Sequence, residues 1–206
     1  MKKILFIALC MLNTCILFAQ VPVTTNNTDT TSAKKGKLIS STLKKTDGKT
    51  MLPANDITTN ISHAKELSAF FKAIQLAQLN ETFSGLGPIT VFAPSNQAFT
   101  NLPPGKLDTL LSPEHKYDLI ALVTYHAIAG KITSRDIARQ VNSHNGTATF
   151  IMLNGSKLTA KIDENRNLIL IDENGGQSII SRFDIQQNNG LIHIVNSVLV
   201  PKFKNI

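Results

Sequence analysis

The chain has 206 residues, 42% of them hydrophobic, 17% charged and 6% aromatic, with no Trp and two Cys. That hydrophobic fraction excludes a wholly disordered protein, the length suits one domain with extensions, and two cysteines are too few for a disulfide-stapled scaffold. The net charge of +7 is unevenly placed: from Met51 onward 13 Lys and Arg stand against 12 Asp and Glu. The expected folded part therefore lacks the basic surface that nucleic-acid binding requires, and no nucleic-acid partner is expected.

Residues 1–19 read as a secretory signal peptide. Lys2 and Lys3 precede an apolar run from Ile4 to Phe18, and the small residue Ala19 closes it. The run is shorter than the roughly 20 residues that cross a bilayer. Both cysteines, Cys10 and Cys15, fall inside this leader. Two exits stay open, cleavage after Ala19 or lipidation at Cys15, and only the second would attach the protein to a membrane. Export places the protein in the periplasm, at the cell surface or in the medium. Residues 20–50 are rich in Thr, Ser, Lys and Asn. Such a stretch cannot repay its ordering entropy and reads as a flexible linker.

The domain is expected over residues 51–206. His63 to Leu79 places Leu67, Phe70, Phe71, Ile74 and Ala77 at three- and four-residue steps, an amphipathic helix with Ser62 as its N-cap. Ile89 to Ala93 reads as a short core strand ended by Pro94. Ser95 or Asn96 then caps a turn of helix that returns Phe99 to the core. Ser112-Pro113-Glu114 opens another helix, carrying Leu119, Ile120 and Val123 inward. Beyond Gly146 the period drops to two. Thr147–Leu153 and Ser156–Ile162 flank Asn154-Gly155, the dipeptide of a type I′ hairpin. Strands at Leu168–Ile171, Gln177–Arg182 and Leu191–Val200 follow. In the last, Ile192, Ile194 and Asn196 share one face and His193, Val195 and Ser197 the other. Early helices and late antiparallel strands give an α+β fold.

Three segments carry a family resemblance. Thr90–Phe99 (TVFAPSNQAF) and Asn189–Pro201 (NGLIHIVNSVLVP) resemble the two signature boxes of the fasciclin domain, and Thr124–Ile132 (TYHAIAGKI) is similar to that family's Tyr-His segment. The resemblance runs from roughly Asp56 to Lys202. It implies a wedge-shaped β-sandwich with N-terminal helices packed along one side, and an extracellular or surface-bound adhesion module without catalytic activity. It also implies partner binding at Tyr125, His126, Asp184 and Ile185, where animal members bind integrin. Arg182 and Phe183 depart from one integrin-binding version, which has an acidic residue and a Pro there. The bacterial character of the leader argues against an animal integrin as partner.

The residues themselves favour structural roles for the boxes. Thr90, Val91, Phe92, Ala93, Pro94, Ser95, Asn96 and Phe99 make a strand, its stop and a helix cap. Asn189, Gly190, Ile192, His193, Ile194 and Pro201 make a turn and a buried strand. If the Tyr-His segment is extended, one of Tyr125 and His126 is buried and the other faces outward. His126 and His193 lack a third ligand at recognisable spacing, so no metal or cofactor is expected. No Gly-x-Ser-x-Gly or phosphate loop supports an enzyme. The expected work is binding of an extracellular protein or polysaccharide; the alternative is carriage of a small apolar ligand in the cell envelope.

Overall fold

In the computed structural model, which describes residues 45–46, 49–85 and 87–203, the first helix begins one residue after Asp56. The expected signal peptide, both cysteines and most of the expected linker lie outside the described residues. Within the linker, β1 (Lys45–Thr46) pairs antiparallel with β2 (Lys49–Thr50). The Asp56 carboxylate accepts the Thr59 amide at 2.8 Å and the Thr59 hydroxyl at 2.7 Å, which starts α1 (Ile57–His63). Ala64 is extended (φ −90°, ψ 104°), one 3₁₀ turn covers Lys65–Leu67, and α2 runs over Ser68–Leu76.

The helix expected from His63 to Leu79 is thus a 3₁₀ turn followed by α2, with the unexpected α1 ahead of it, and Ser62 is not a cap but donates to the Thr59 carbonyl. Ile57 and Ile61 of α1 enter the same core as Leu67 and Phe70, on the far side of the extended Ala64. Gln78 takes φ 60°, and α3 (Asn80–Ser84) follows. The other helices are α4 (Asn96–Thr100), α5 (Lys106–Leu111), α6 (Lys116–Tyr125) and α7 (Ser134–Ser143).

The strands β3 (Ile89–Pro94), β4 (Ala127–Ala129), β5 (Thr147–Ile151), β6 (Lys157–Ile162), β7 (Leu168–Ile171), β8 (Gln177–Gln187) and β9 (Gly190–Val195) form a seven-stranded sheet in the order β4-β3-β9-β8-β7-β6-β5. β3 and β9 are parallel; the other pairs are antiparallel. β8 joins the two halves, pairing with β7 at its start and with β9 through two register shifts afterwards. The sheet curls far enough for the Leu153 amide, just past β5, to donate to the Ala127 carbonyl of β4 at 2.8 Å.

Alternation along β3 and β9 then feeds two cores. Val91, Ala93, Ile192 and Ile194 meet Phe70, Ile74, Phe83 and Leu122 under the helices. Phe92 and Val195 meet Phe150, Leu158, Leu170, Tyr125 and Ile137 between the halves of the sheet. The fold is α+β, as the order of elements predicts.

Two strand ends differ from expectation. β8 runs on to Gln187, because Asp184 (φ 60°) bulges the strand and interrupts its alternation. The last strand stops at Val195 instead of Val200: the Asn196 side chain accepts the Ile179 amide at 2.7 Å and turns the chain away. The Asn154-Gly155 turn also departs from type I′, since only Gly155 has positive φ (81°). It is a three-residue loop: Gly155 N–H donates to the Met152 carbonyl, and Met152 N–H donates to the Ser156 carbonyl. The β6–β7 and β7–β8 turns repeat both bonds from Asp163 and Asp172, with Arg166 (φ 64°) and Gly175 (φ 84°) in the left-handed place. The turns at Asp163-Glu164 and Asp172-Glu173 are therefore hairpin turns of the same kind.

Candidate functional site

The parallel β3–β9 pair sets Thr90–Phe99 directly beside Asn189–Pro201, in register from Ile89 opposite Gly190 to Pro94 opposite Val195. Polar residues of both segments then lock the surrounding elements. Asn189 accepts the Ile57 amide at 3.0 Å and donates to the carbonyls of Phe83 (2.9 Å) and Gly85 (3.0 Å), which ties the start of α1 to the end of α3. The buried Thr90 hydroxyl donates to the Gly130 carbonyl at 2.7 Å and accepts the Ile132 amide at 2.8 Å.

Ser95 caps α4 by accepting the Ala98 amide. Asn96 does something spacing could not show: it accepts the Ala69 amide at 3.0 Å and donates to the Lys65 carbonyl at 2.9 Å, capping α2 from a distance.

Tyr125 and His126 are both fully buried, which corrects the expectation that one of them faces outward. The segment is not extended: Tyr125 is the last residue of α6 and His126 its C-cap, so both side chains turn into the fold. The Tyr125 hydroxyl donates to the Lys157 carbonyl at 2.7 Å and accepts the Glu173 amide at 3.2 Å, and burial pushes the phenol well above its ordinary value. His126 Nδ1 donates to the Leu122 carbonyl at 2.8 Å while Nε2 accepts the Leu199 amide at 3.1 Å, so the ring is the neutral Nδ1–H tautomer. Burial pushes its pKa down to about 4.

His193, also fully buried, stacks on Phe92 with ring centroids 5.5 Å apart. Its Nε2 donates to the Ile132 carbonyl and its Nδ1 accepts the Asp184 amide. Both nitrogens of each histidine are thus engaged by backbone groups, and neither ring presents a lone pair to a metal. Among the described residues no group of three or more His, Cys, Asp or Glu could hold a metal ion.

Asp184 is half-buried and Ile185 buried. The Asp184 carboxylate accepts the Ser134 amide at 2.8 Å and the Ser134 hydroxyl at 2.5 Å, at the start of α7. It adds to a capping box in which Thr133 and Asp136 satisfy each other's amides. That Thr-x-x-Asp spacing is the signal that would have revealed α7, which the sequence reading passed over. The resemblance thus points at four residues that the fold also uses for itself. Phe183, next to Asp184 in β8, is 44% exposed.

Comparison with known proteins decides the relationship: the family model described as "Fasciclin domain" matches residues 65–201. The chain belongs to the fasciclin domain family. Protein sll1483 of Synechocystis sp. is 36% identical to this fasciclin chain over 134 residues, 65% of this chain and 67% of that protein. Human periostin is 29% identical over 66% of this chain, but the match spans only 15% of periostin. The FAS1 domain pair of the insect cell adhesion molecule Fasciclin I matches with a TM-score of 0.63 at 15% identity, over 71% of this chain and 51% of the other. At that identity the likeness shows the fold alone. Fasciclin domains are typically non-catalytic. Among the described residues of this one, no helix is long and apolar enough to cross a membrane.

Proposed function

We propose that this chain is an exported, non-catalytic adhesion module that binds matrix or cell-surface components outside the cytoplasm. The family match supports it, as does the occurrence of the fold in an insect cell adhesion molecule. The observation that carries the reading is the placement of Phe183. An aromatic ring 44% exposed sits next to Asp184, on a backbone pinned by the Asp184–Ser134 and Asp184–His193 hydrogen bonds. Tyr125, His126 and Ile185 are buried and serve the fold, while Phe183 and Asp184 meet the partner. A rigid domain offering one weak patch gains avidity when many copies act together.

The carrier reading has less support, because Phe70, Ile74, Phe83 and Leu122 occupy the space between helices and sheet where cargo would sit.

The test is attachment of cells or matrix material to surfaces coated with the purified chain. Phe183→Ser should weaken attachment severalfold with the unfolding temperature unchanged; attachment at the wild-type level would place the contact elsewhere.

A further inference from the structure

A cleft of ≈ 280 Å³ opens between the first turn of α7 and the β6–β7 turn, bordered by Arg135, Arg166, Ile162, Leu168, Ile180 and Phe183. Its border holds two guanidinium groups and no carboxylate. Four arginines lie between residues 51 and 206. Arg139 pairs with Asp136 and Arg182 with Glu66. Arg135 and Arg166 have no ion-pair partner among the described residues, and these are the two that meet at the cleft.

Arg166 also sits in the left-handed region (φ 64°) at the position its two sister hairpins give to Gly155 and Gly175. A residue with a Cβ is strained there where glycine is not. The β6–β7 turn thus keeps a residue that costs backbone energy and places a guanidinium at the cleft mouth.

We propose that this cleft binds a uronate residue of an acidic polysaccharide, which rests on the adhesion reading above and names its partner. The planar fork of arginine matches a carboxylate through paired N–H···O bonds. The apolar wall of Ile162, Leu168, Ile180 and Phe183 matches the C–H faces of a pyranose ring. A polyphosphate or nucleic acid would call for a long basic stripe. Here 13 basic residues against 12 acidic ones from Met51 onward leave the domain nearly neutral around one local pair of arginines.

The experiment measures binding of the purified full chain to polygalacturonate, with methyl-esterified polygalacturonate, dextran, heparin and single-stranded DNA as comparators. The expected result is salt-sensitive binding to polygalacturonate only. Arg166→Gly should lose at least tenfold in affinity while its unfolding temperature stays level or rises, and Arg135→Gln should lose a similar factor. Arg139→Gln should bind as the wild type does. Equal binding of the esterified polymer or dextran, preference for heparin or DNA, or full binding by Arg166→Gly each overturns the proposal. Attachment to cells or matrix without polygalacturonate binding overturns the cleft alone; failure of both also removes the adhesion reading.

Discussion

Gly190 lies opposite Ile89 where β3 and β9 begin, and a Cβ on Gly190 would stand 1.8 Å from the Ile89 carbonyl oxygen. The obstacle is backbone, so no side-chain rotation relieves it. Gly190→Ala must open the parallel ladder that joins the two signature segments. The expected loss is about 3 kcal/mol or more, read as a shift in the urea midpoint. A wild-type midpoint would show that the two strands do not approach this closely.

Asn189 uses both ends of its amide, and the two ends are not interchangeable. Asn189→Ala leaves the Ile57 amide and the Phe83 and Gly85 carbonyls without their partner, at roughly 3 kcal/mol in total. Asn189→Asp turns an acceptor oxygen toward those two carbonyls and should unfold at lower urea than the Ala variant. The reverse order would contradict the assigned amide orientation.

His126 makes stability depend on pH. Its pKa is about 4 in the fold against an ordinary 6.5. Between those values the unfolded chain takes up a proton that the folded chain refuses. Its contribution is therefore complete above about pH 7 and declines as pH falls toward 4, by about 3 kcal/mol over the window. Urea midpoints at pH 7.5 and 5.0 should differ more in the wild type than in His126→Gln. Equal differences would mean that the buried ring does not govern the slope.

Asp184 should behave as a cap even if it also touches a partner. Asp184→Ala removes two hydrogen bonds at the start of α7 and should cost about 1–2 kcal/mol. Asp184→Asn should cost less, since Asn tolerates φ 60° and retains an acceptor oxygen. Thermal unfolding of the two variants checks this. An Ala variant melting with the wild type would free Asp184 from the capping role.

Much of this was legible along the chain. Alternating burial in Thr147–Ile151, the largely apolar runs of Ile89–Ala93 and Leu191–Val195 and the turn at Asn154-Gly155 reflect contacts between near neighbours, and such patterns write themselves into the sequence. The same logic did not find α1, a seven-residue helix that buries only Ile57, Asn60 and Ile61. It failed at Asp184, whose bulge keeps β8 going after its alternation has lapsed. It missed α7, whose two buried anchors, Ile137 and Val141, sit in an otherwise polar stretch opened by a capping box that needed recognition in its own right.

The sequence alone determined the α+β order of elements, the family to which the chain belongs, and the two segments on which the fold turns. Each of these rests on residue types and spacings that a linear string records. Only the tertiary structure decided that Tyr125 and His126 face inward, that Asn96 caps a helix nearly thirty residues before it, and that Arg135 and Arg166 share a cleft. These depend on which distant backbone groups are left without partners when the sheet curls, and hydrogen-bond need of that kind leaves no periodic mark on the chain.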